Sequence, residues 1–89
     1  MFTALSFFNS WLKIKLNMLS KSEFATEVGK KIKKWREKRG LSQEELAHRA
    51  GLYRTYVGHL ENARYSPSTY ILYKIAFVLK VDISEFFST

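Results

Sequence analysis

His48 and His59 are the side chains of this sequence best suited to acid–base or metal chemistry near neutral pH. They lie eleven residues apart, and no paired base, nucleophile or further metal ligand stands beside either of them at a useful spacing. The sequence has no cysteine, which excludes disulfide bonds, thiolate metal sites and cysteine nucleophiles. We therefore expect a protein that is not an enzyme and that has no metal, no cofactor and no evident small-molecule ligand.

Lysine and arginine residues are concentrated in the first part of the chain, which carries a net charge of +7 overall. Residues 1–40 hold ten of them against three acids, whereas residues 41–89 hold five of each sign. The densest cluster comprises Lys30, Lys31, Lys33, Lys34, Arg36, Lys38 and Arg39. Such a cluster suits a polyanion such as DNA, RNA or an anionic membrane, and it equally fits the solvated face of a helix.

The length of 89 residues allows one domain. No apolar run approaches the roughly 18 to 20 residues needed to span a bilayer. The N-terminus also lacks the basic leader and small-residue cleavage site of a signal peptide. We expect a soluble, cytoplasmic protein without a membrane partner.

Local signals divide the chain into five expected helices. A capping-box pattern, in which a Ser or Asp is followed three residues later by Glu, occurs at three helix starts: Ser20–Glu23, Ser42–Glu45 and Asp82–Glu85. Gly40 and Gly51 end the first two helices, and Pro67 can open the fourth as its first residue. The expected helices cover about 21–39, 43–50, 54–62, 67–79 and 83–87. Because no segment alternates as a strand does, we predict an all-α fold.

The run from Gln43 to Asn62 has the residues that two short, steeply crossing helices require. Ala47 is small where the second helix must come close, and Gly51 can adopt the left-handed conformation of the turn. The shared core is supplied by Leu46, Ala50, Leu52, Val57 and Leu60. This spacing predicts a helix-turn-helix.

A wider pattern resembles the helix-turn-helix family of the lambda-type and 434-type phage repressors and Cro proteins, which is XRE-like. The matching residues are Leu41-Ser42-Gln43-Glu44-Glu45-Leu46-Ala47, Gly51-Leu52, Leu60-Glu61, Pro67-Ser68 and Val81-Asp82-Ile83-Ser84-Glu85-Phe86-Phe87. The run Arg54-Thr55-Tyr56-Val57 further looks like the controller proteins of restriction-modification systems. The resemblance implies a five-helix, lambda-repressor-like DNA-binding domain over residues 20–89.

The resemblance also implies roles for individual residues. Arg54, Thr55 and His59 would read base edges in the major groove, with Arg54 bonding a guanine. The DNA backbone would be held by Gln43, Asn62 and Arg64. Tyr53 and Tyr56 are secondary candidates for a backbone contact, with the alternative that one of them contacts phosphate through its hydroxyl while the other packs into the core. Glu61 would pair with Arg36 and brace the recognition helix.

Two residues of this run depart from the family pattern. Tyr53 stands where Ser, Asp or Asn would cap the third helix, so Thr55 is the alternative cap and the direction of Arg54 is open. Gly58 lowers the stability of the same helix, because glycine is a poor helix former. Its presence is explained either by a close approach of the helix to DNA or by no functional reason.

The fourth helix has more apolar residues than one buried stripe requires. Leu72, Ile75, Ala76 and Leu79 fit the core. Four others, together with the residue at the end of the last expected helix, are candidates for a dimer interface: Tyr70, Tyr73, Phe77, Val78 and Phe87. The alternative is that these aromatic residues thicken a small core.

Residues 1–19 lie outside the family pattern and form an apolar N-terminal extension. Phe7, Trp11, Ile14 and Met18 recur at helical spacing, which favours a segment that covers exposed aromatic residues of the fourth helix or adds to a dimer interface. Met18 is also a possible start of translation, in which case the extension would not belong to the protein.

These observations favour a homodimeric transcription regulator that binds double-stranded DNA at a palindromic operator, regulates its own expression and associates with the nucleoid. The alternative is a protein-binding module, such as an antitoxin, that binds DNA only secondarily.

Overall fold

A computed structural model describes residues 19–87, and these residues form helices and the turns between them. The elements are α1 (Lys21–Lys38), α2 (Gln43–Ala50), α3 (Tyr56–Glu61), α4 (Thr69–Leu79) and a 3-10 helix (Ile83–Phe86). The predicted all-helical class is confirmed for this part of the chain. The predicted extension lies outside it, apart from Leu19.

Two of the three expected capping boxes are present. At α1 the Ser20 N–H donates to Glu23 Oε1 at 3.1 Å, and the Glu23 N–H donates to Ser20 Oγ at 3.2 Å. Ser42 and Glu45 make the same exchange at α2, at 3.1 and 3.0 Å. Each box satisfies two amide groups that have no partner within the helix.

The fifth expected helix is a 3-10 helix, so the structure has four α-helices and the expected five-helix count is not confirmed for the described residues. At its start the Asp82 carboxylate accepts a hydrogen bond from the Ser84 N–H at 2.9 Å. This bond spans only two residues, and it replaces the three-residue spacing of a capping box. The resulting tight turn ends after four residues.

The starts of α3 and α4 also differ from the sequence expectation. Helix α3 begins at Tyr56, and Thr55 at its N-cap makes no side-chain hydrogen bond, so neither Tyr53 nor Thr55 caps it. Helix α4 begins at Thr69, because the Ser68 hydroxyl accepts the Ile71 N–H at 3.2 Å. Pro67 therefore precedes the capping residue and is not the first residue of the helix.

All four α-helices of the described residues end in the same hydrogen-bonded turn, a Schellman motif. Its left-handed residue is Gly40, Gly51, Ala63 or Lys80, with φ of 71°, 66°, 58° and 58° respectively. Gly40 and Gly51 thus end their helices as predicted. Ala63 and Lys80 adopt this conformation despite a β-carbon, which costs about 1 to 2 kcal/mol per residue.

Helix α1 packs closely across α3 at Gly29, which is buried. A β-carbon added at Gly29 would overlap the carbonyl oxygen of Leu60 and lie 3.1 Å from that of Glu61. A glycine in mid-helix usually weakens the helix. Here it permits the contact that sets the position of α3 against the core.

The core lies between all four α-helices and the 3-10 helix. Its fully buried side chains include Val28, Ile32, Leu46, Val57, Leu60, Ile75, Leu79 and Phe86. The predicted core residues of α4 are all buried. Arg39 ties the end of α1 to the end of α4, since its Nε donates to the Leu79 carbonyl at 2.7 Å.

Within residues 19–87, no helix has both the length and the apolar character that crossing a membrane requires. The same residues contain no group of three His, Cys, Asp or Glu side chains that could hold a metal ion.

Candidate nucleic-acid interface

An open depression runs along the start of α2, the turn before α3, one side of α3 and the loop that follows. It is lined by Gln43, Glu44, Arg54, Thr55, Gly58, His59, Asn62 and Arg64. Six of these residues are those for which the resemblance implies a base or backbone contact. The structure therefore brings together on one surface residues that lie up to 21 positions apart in the chain.

Gln43 is held in this depression by a carboxylate at the opposite end of the motif. Its Nε2 donates to Glu61 Oε1 at 3.0 Å. A side-chain amide nitrogen has two N–H groups, so one remains for another acceptor. Gln43 is also the first residue of α2, where unpaired backbone amides and the helix dipole favour a phosphate.

Glu61 and Arg36 form a bidentate ion pair. Arg36 Nε and Nη2 lie 2.6 and 3.0 Å from the two carboxylate oxygens, and Nη1 donates to the Leu41 carbonyl at 2.8 Å. The side chains are only 11% and 3% exposed. The hydrogen bond to Glu61 raises the pKa of Arg36, so the guanidinium keeps its charge despite burial.

The structure explains why position 58 is a glycine, which the sequence alone did not. A β-carbon at this position would lie 3.3 Å from Gln43 Oε1. The bare backbone of α3 thus leaves the space that the Gln43 side chain occupies. The only sequence signal was an unexplained glycine in a short helix.

Tyr53 in the turn and Tyr56 at the start of α3 have different surroundings. Tyr53 is 85% exposed, whereas Tyr56 is half-buried and packs against the core. Tyr56 also stacks on Tyr65 in the loop after α3, with ring centroids 5.7 Å apart. His59 meets the same Tyr65 ring edge-to-face at 5.2 Å. No motif in the sequence indicated a role for Tyr65.

Two arginines, Arg54 and Arg64, give the depression positive charge, and Glu44 is its one acid. The dense basic cluster of α1 contributes no side chain to it. Part of that cluster surrounds a tryptophan instead, since Lys34, Lys38 and Arg39 have their charged groups 5.5, 4.9 and 5.3 Å from the Trp35 ring centroid.

A second surface of note lies on α4, where Tyr70, Tyr73 and Phe77 form a continuous aromatic ladder. Successive ring centroids are 6.4 and 6.5 Å apart. The three side chains are 66%, 55% and 75% exposed, so they do not thicken the core. Val78 is half-buried beside them. Phe87, the fifth interface candidate, stacks on Phe24 of α1 at 6.0 Å.

Comparison with known proteins places this architecture among characterised families. The family described as helix-turn-helix matches residues 32–86, which is more than half of the chain. Among curated relatives, the ImmF control region 10 kDa protein of Bacillus phage phi105 is 40% identical over 58 residues, covering 65% of this chain and 64% of the phage protein. Control protein C.MunI of Mycoplasma sp is 44% identical over 68 residues, covering 75% of this chain and 92% of its own.

A solved structure agrees with these sequence relatives. The restriction-modification controller protein C.AhdI from Aeromonas hydrophila superposes with a TM-score of 0.68 at 34% identity. The match covers 70% of this chain and 94% of C.AhdI.

Proposed function

The chain belongs to the helix-turn-helix family, and from that premise we propose that it is a transcription regulator that binds double-stranded DNA sequence-specifically. It acts as a homodimer on a palindromic operator near its own or a neighbouring promoter, in association with the nucleoid. Curated relatives support the regulatory role, since they include an immunity repressor and a control protein.

The observation that carries this proposal is the single depression that joins Arg54, Thr55 and His59 to Gln43, Asn62 and Arg64. The first three have the donors, the acceptor and the methyl group that discriminate base edges in a major groove. The other three surround them with donors for phosphate oxygens, which fix the register without reading sequence. Tyr53, highly exposed beside Arg54, adds a hydroxyl that can reach the same backbone.

The aromatic ladder of α4 supports the homodimer. Three exposed aromatic rings in one row form an apolar patch that a second copy of the chain would cover. Two recognition helices related in this way would lie about 34 Å apart and read the two halves of a palindrome. Phe87 stacks on Phe24 of α1 but stays 46% exposed, so it remains a candidate for this interface.

Selection of bound sequences from a random pool of double-stranded DNA tests the function. We expect a palindromic consensus whose affinity falls steeply with salt.

Arg54→Ala should lose about 1 to 3 kcal/mol of binding free energy and relax one base preference, whereas Gln43→Ala should weaken binding to all sequences alike. Lys33→Ala removes a charge of the same sign from an exposed position of α1, outside both the depression and the surface beside the aromatic ladder, and serves as the control. An equal loss of affinity for every sequence in Arg54→Ala would show that Arg54 does not read a base.

Molecular mass in solution tests the homodimer. Phe77→Ser should shift the mass from that of a dimer to that of a monomer, because Phe77 has the most exposed side chain of the aromatic ladder. Tyr53→Ser changes another exposed aromatic residue outside the ladder and should leave the mass unchanged. A monomeric parent chain that binds a protein partner tightly without DNA would favour the protein-binding alternative.

A further inference from the structure

Tyr65 packs against α3 because the chain turns back at the end of this helix. The Ala63 N–H donates to the Leu60 carbonyl at 3.1 Å, and the Arg64 N–H donates to the His59 carbonyl at 2.9 Å. Ala63 has a φ of 58°, which reverses the direction of the chain. The next residue but one, Tyr65, therefore lies alongside the helix that has just ended.

The Tyr65 ring contacts two residues of α3 that are one turn apart. It stacks nearly parallel on Tyr56, with an interplanar angle of 18°, and meets His59 nearly perpendicularly, at 80°. Tyr56 is fixed in turn by its packing against the core. A chain of ring contacts thus runs from the core through Tyr56 and Tyr65 to His59.

His59 lies between this chain of rings and the depression. It lines the depression together with Arg54 and Thr55, and Tyr65 does not. Tyr65 is itself 50% exposed, so its ring does little for the core and instead closes one side of the imidazole. A histidine confined on one side has fewer side-chain rotamers to lose when it meets a base.

We propose that Tyr65 is a positioning residue that sets the direction of the His59 imidazole and thereby the base preference at the position that His59 meets. This inference rests on the proposed DNA-binding function and extends it to a loop residue that makes no base contact. The ring of Tyr65 carries the effect, and its hydroxyl does not.

The test compares sequence preference in the full-length chain and its variants, using the sequence selected from the random pool and all single base-pair substitutions of one half-site. Tyr65→Leu should lose about tenfold in discrimination at the same base pair as His59→Ala. Tyr65→Phe, which keeps the ring, should retain the parent preference. The double variant Tyr65→Leu with His59→Ala should lose no more than His59→Ala alone.

A measurement without DNA checks the geometry separately. In nuclear magnetic resonance spectra of the free protein, we expect ring-current shifts between Tyr65 and His59 in the parent and in Tyr65→Phe, and their loss in Tyr65→Leu. Thermal melting followed by circular dichroism should show that Tyr65→Leu remains folded, since the side chain is half exposed.

Five results would overturn the inference. Two concern Tyr65→Leu: an unchanged base preference, or a uniform loss on every sequence. The others are a loss in Tyr65→Phe equal to that in Tyr65→Leu, losses that add in the double variant, and an unchanged preference in His59→Ala. A parent chain with no sequence preference would overturn the proposed function as well, so the two failures are distinguishable.

Discussion

The side-chain amide of Gln43, the first residue of α2, lies 3.0 Å from the carboxylate of Glu61, the last residue of α3. The same carboxylate binds Arg36 of α1 through two hydrogen bonds. One nearly buried acid therefore joins three helices and holds a residue of the proposed DNA surface. Stability and DNA affinity should depend on it together.

Arg36→Met should lower the free energy of unfolding by about 3 kcal/mol, because it leaves the Glu61 carboxylate buried without its cation. Urea denaturation measures the loss. Adding Glu61→Gln should recover part of it, since a neutral amide costs less to bury than a charge. Lys33→Met, at an exposed position of α1, is the matched control. A loss no larger than that of the control would mean that the pair contributes little.

Gly29→Ala and Gly58→Ala should act in opposite directions on stability. At Gly29 the new methyl group meets the backbone carbonyls of Leu60 and Glu61, which cannot move without shifting α3, so we expect a loss of about 1 to 3 kcal/mol. At Gly58 the neighbour is the end of the flexible Gln43 side chain, and the gain in helix propensity is about 1 kcal/mol.

DNA affinity should fall in Gly58→Ala even where stability rises, because the methyl group displaces Gln43 from its place above α3. Denaturation and DNA titration of the same two variants measure both effects. Unchanged affinity in Gly58→Ala would show that the position of Gln43 does not matter to binding.

The parts of the fold that follow local rules could be predicted from the sequence. The boxes at Ser20 and Ser42 depend on residues three apart, and both are visible without a structure. At Asp82 the same spacing predicted a capping box that does not form, because the carboxylate accepts a hydrogen bond from the nearer Ser84 amide. The boundaries of α3 were misjudged because Thr55 makes no capping hydrogen bond and no other signal marks the start.

The candidate site was predictable only as far as the resemblance reached. It indicated Arg54, Thr55, His59 and Gln43, which the structure then placed on one surface. The roles of Gly29, Gly58 and Tyr65 depend on contacts between separate elements. Tyr65 was hidden for a further reason, since Ala63 is not a residue that signals a left-handed turn.

Lys80→Gly should raise the free energy of unfolding by about 0.5 to 1 kcal/mol. Lys80 has a φ of 58° and a ψ of 44° at the end of α4, where a glycine avoids the cost of the β-carbon but loses more entropy on folding. The denaturation midpoint is the measurement. Lys33→Gly, the same change in the helical region of α1, should instead destabilise by about 1 kcal/mol. Destabilisation at both positions would contradict the assignment of strain to Lys80.

Low pH should destabilise the start of α2. A hydrogen bond with the backbone of Ser42, and to a smaller extent one with its hydroxyl, lowers the pKa of the Glu45 carboxylate. The folded pKa is thus below the unfolded one, so the stabilisation is present above about pH 4.3 and disappears as the pH falls through the lower, folded value. Glu45→Gln should therefore show a shallower loss of stability between about pH 5 and pH 2 than the parent. Glu44→Gln, which leaves the box intact, is the control, and equal slopes in parent and Glu45→Gln would refute the coupling.

Glu44→Gln should strengthen binding to DNA of every sequence by about two- to fivefold at low salt, because Glu44 is the one acid lining the depression. The gain should shrink as salt rises, since the interaction is between exposed charges. Glu27→Gln is the matched control: it changes the net charge equally, but Glu27 faces Lys30 of α1 at 3.6 Å and lies outside the depression. Titrations of the selected operator and of an unrelated duplex, each at two salt concentrations, separate the two variants. An equal gain from both would assign the effect to net charge alone and would remove the argument that this depression faces the phosphates.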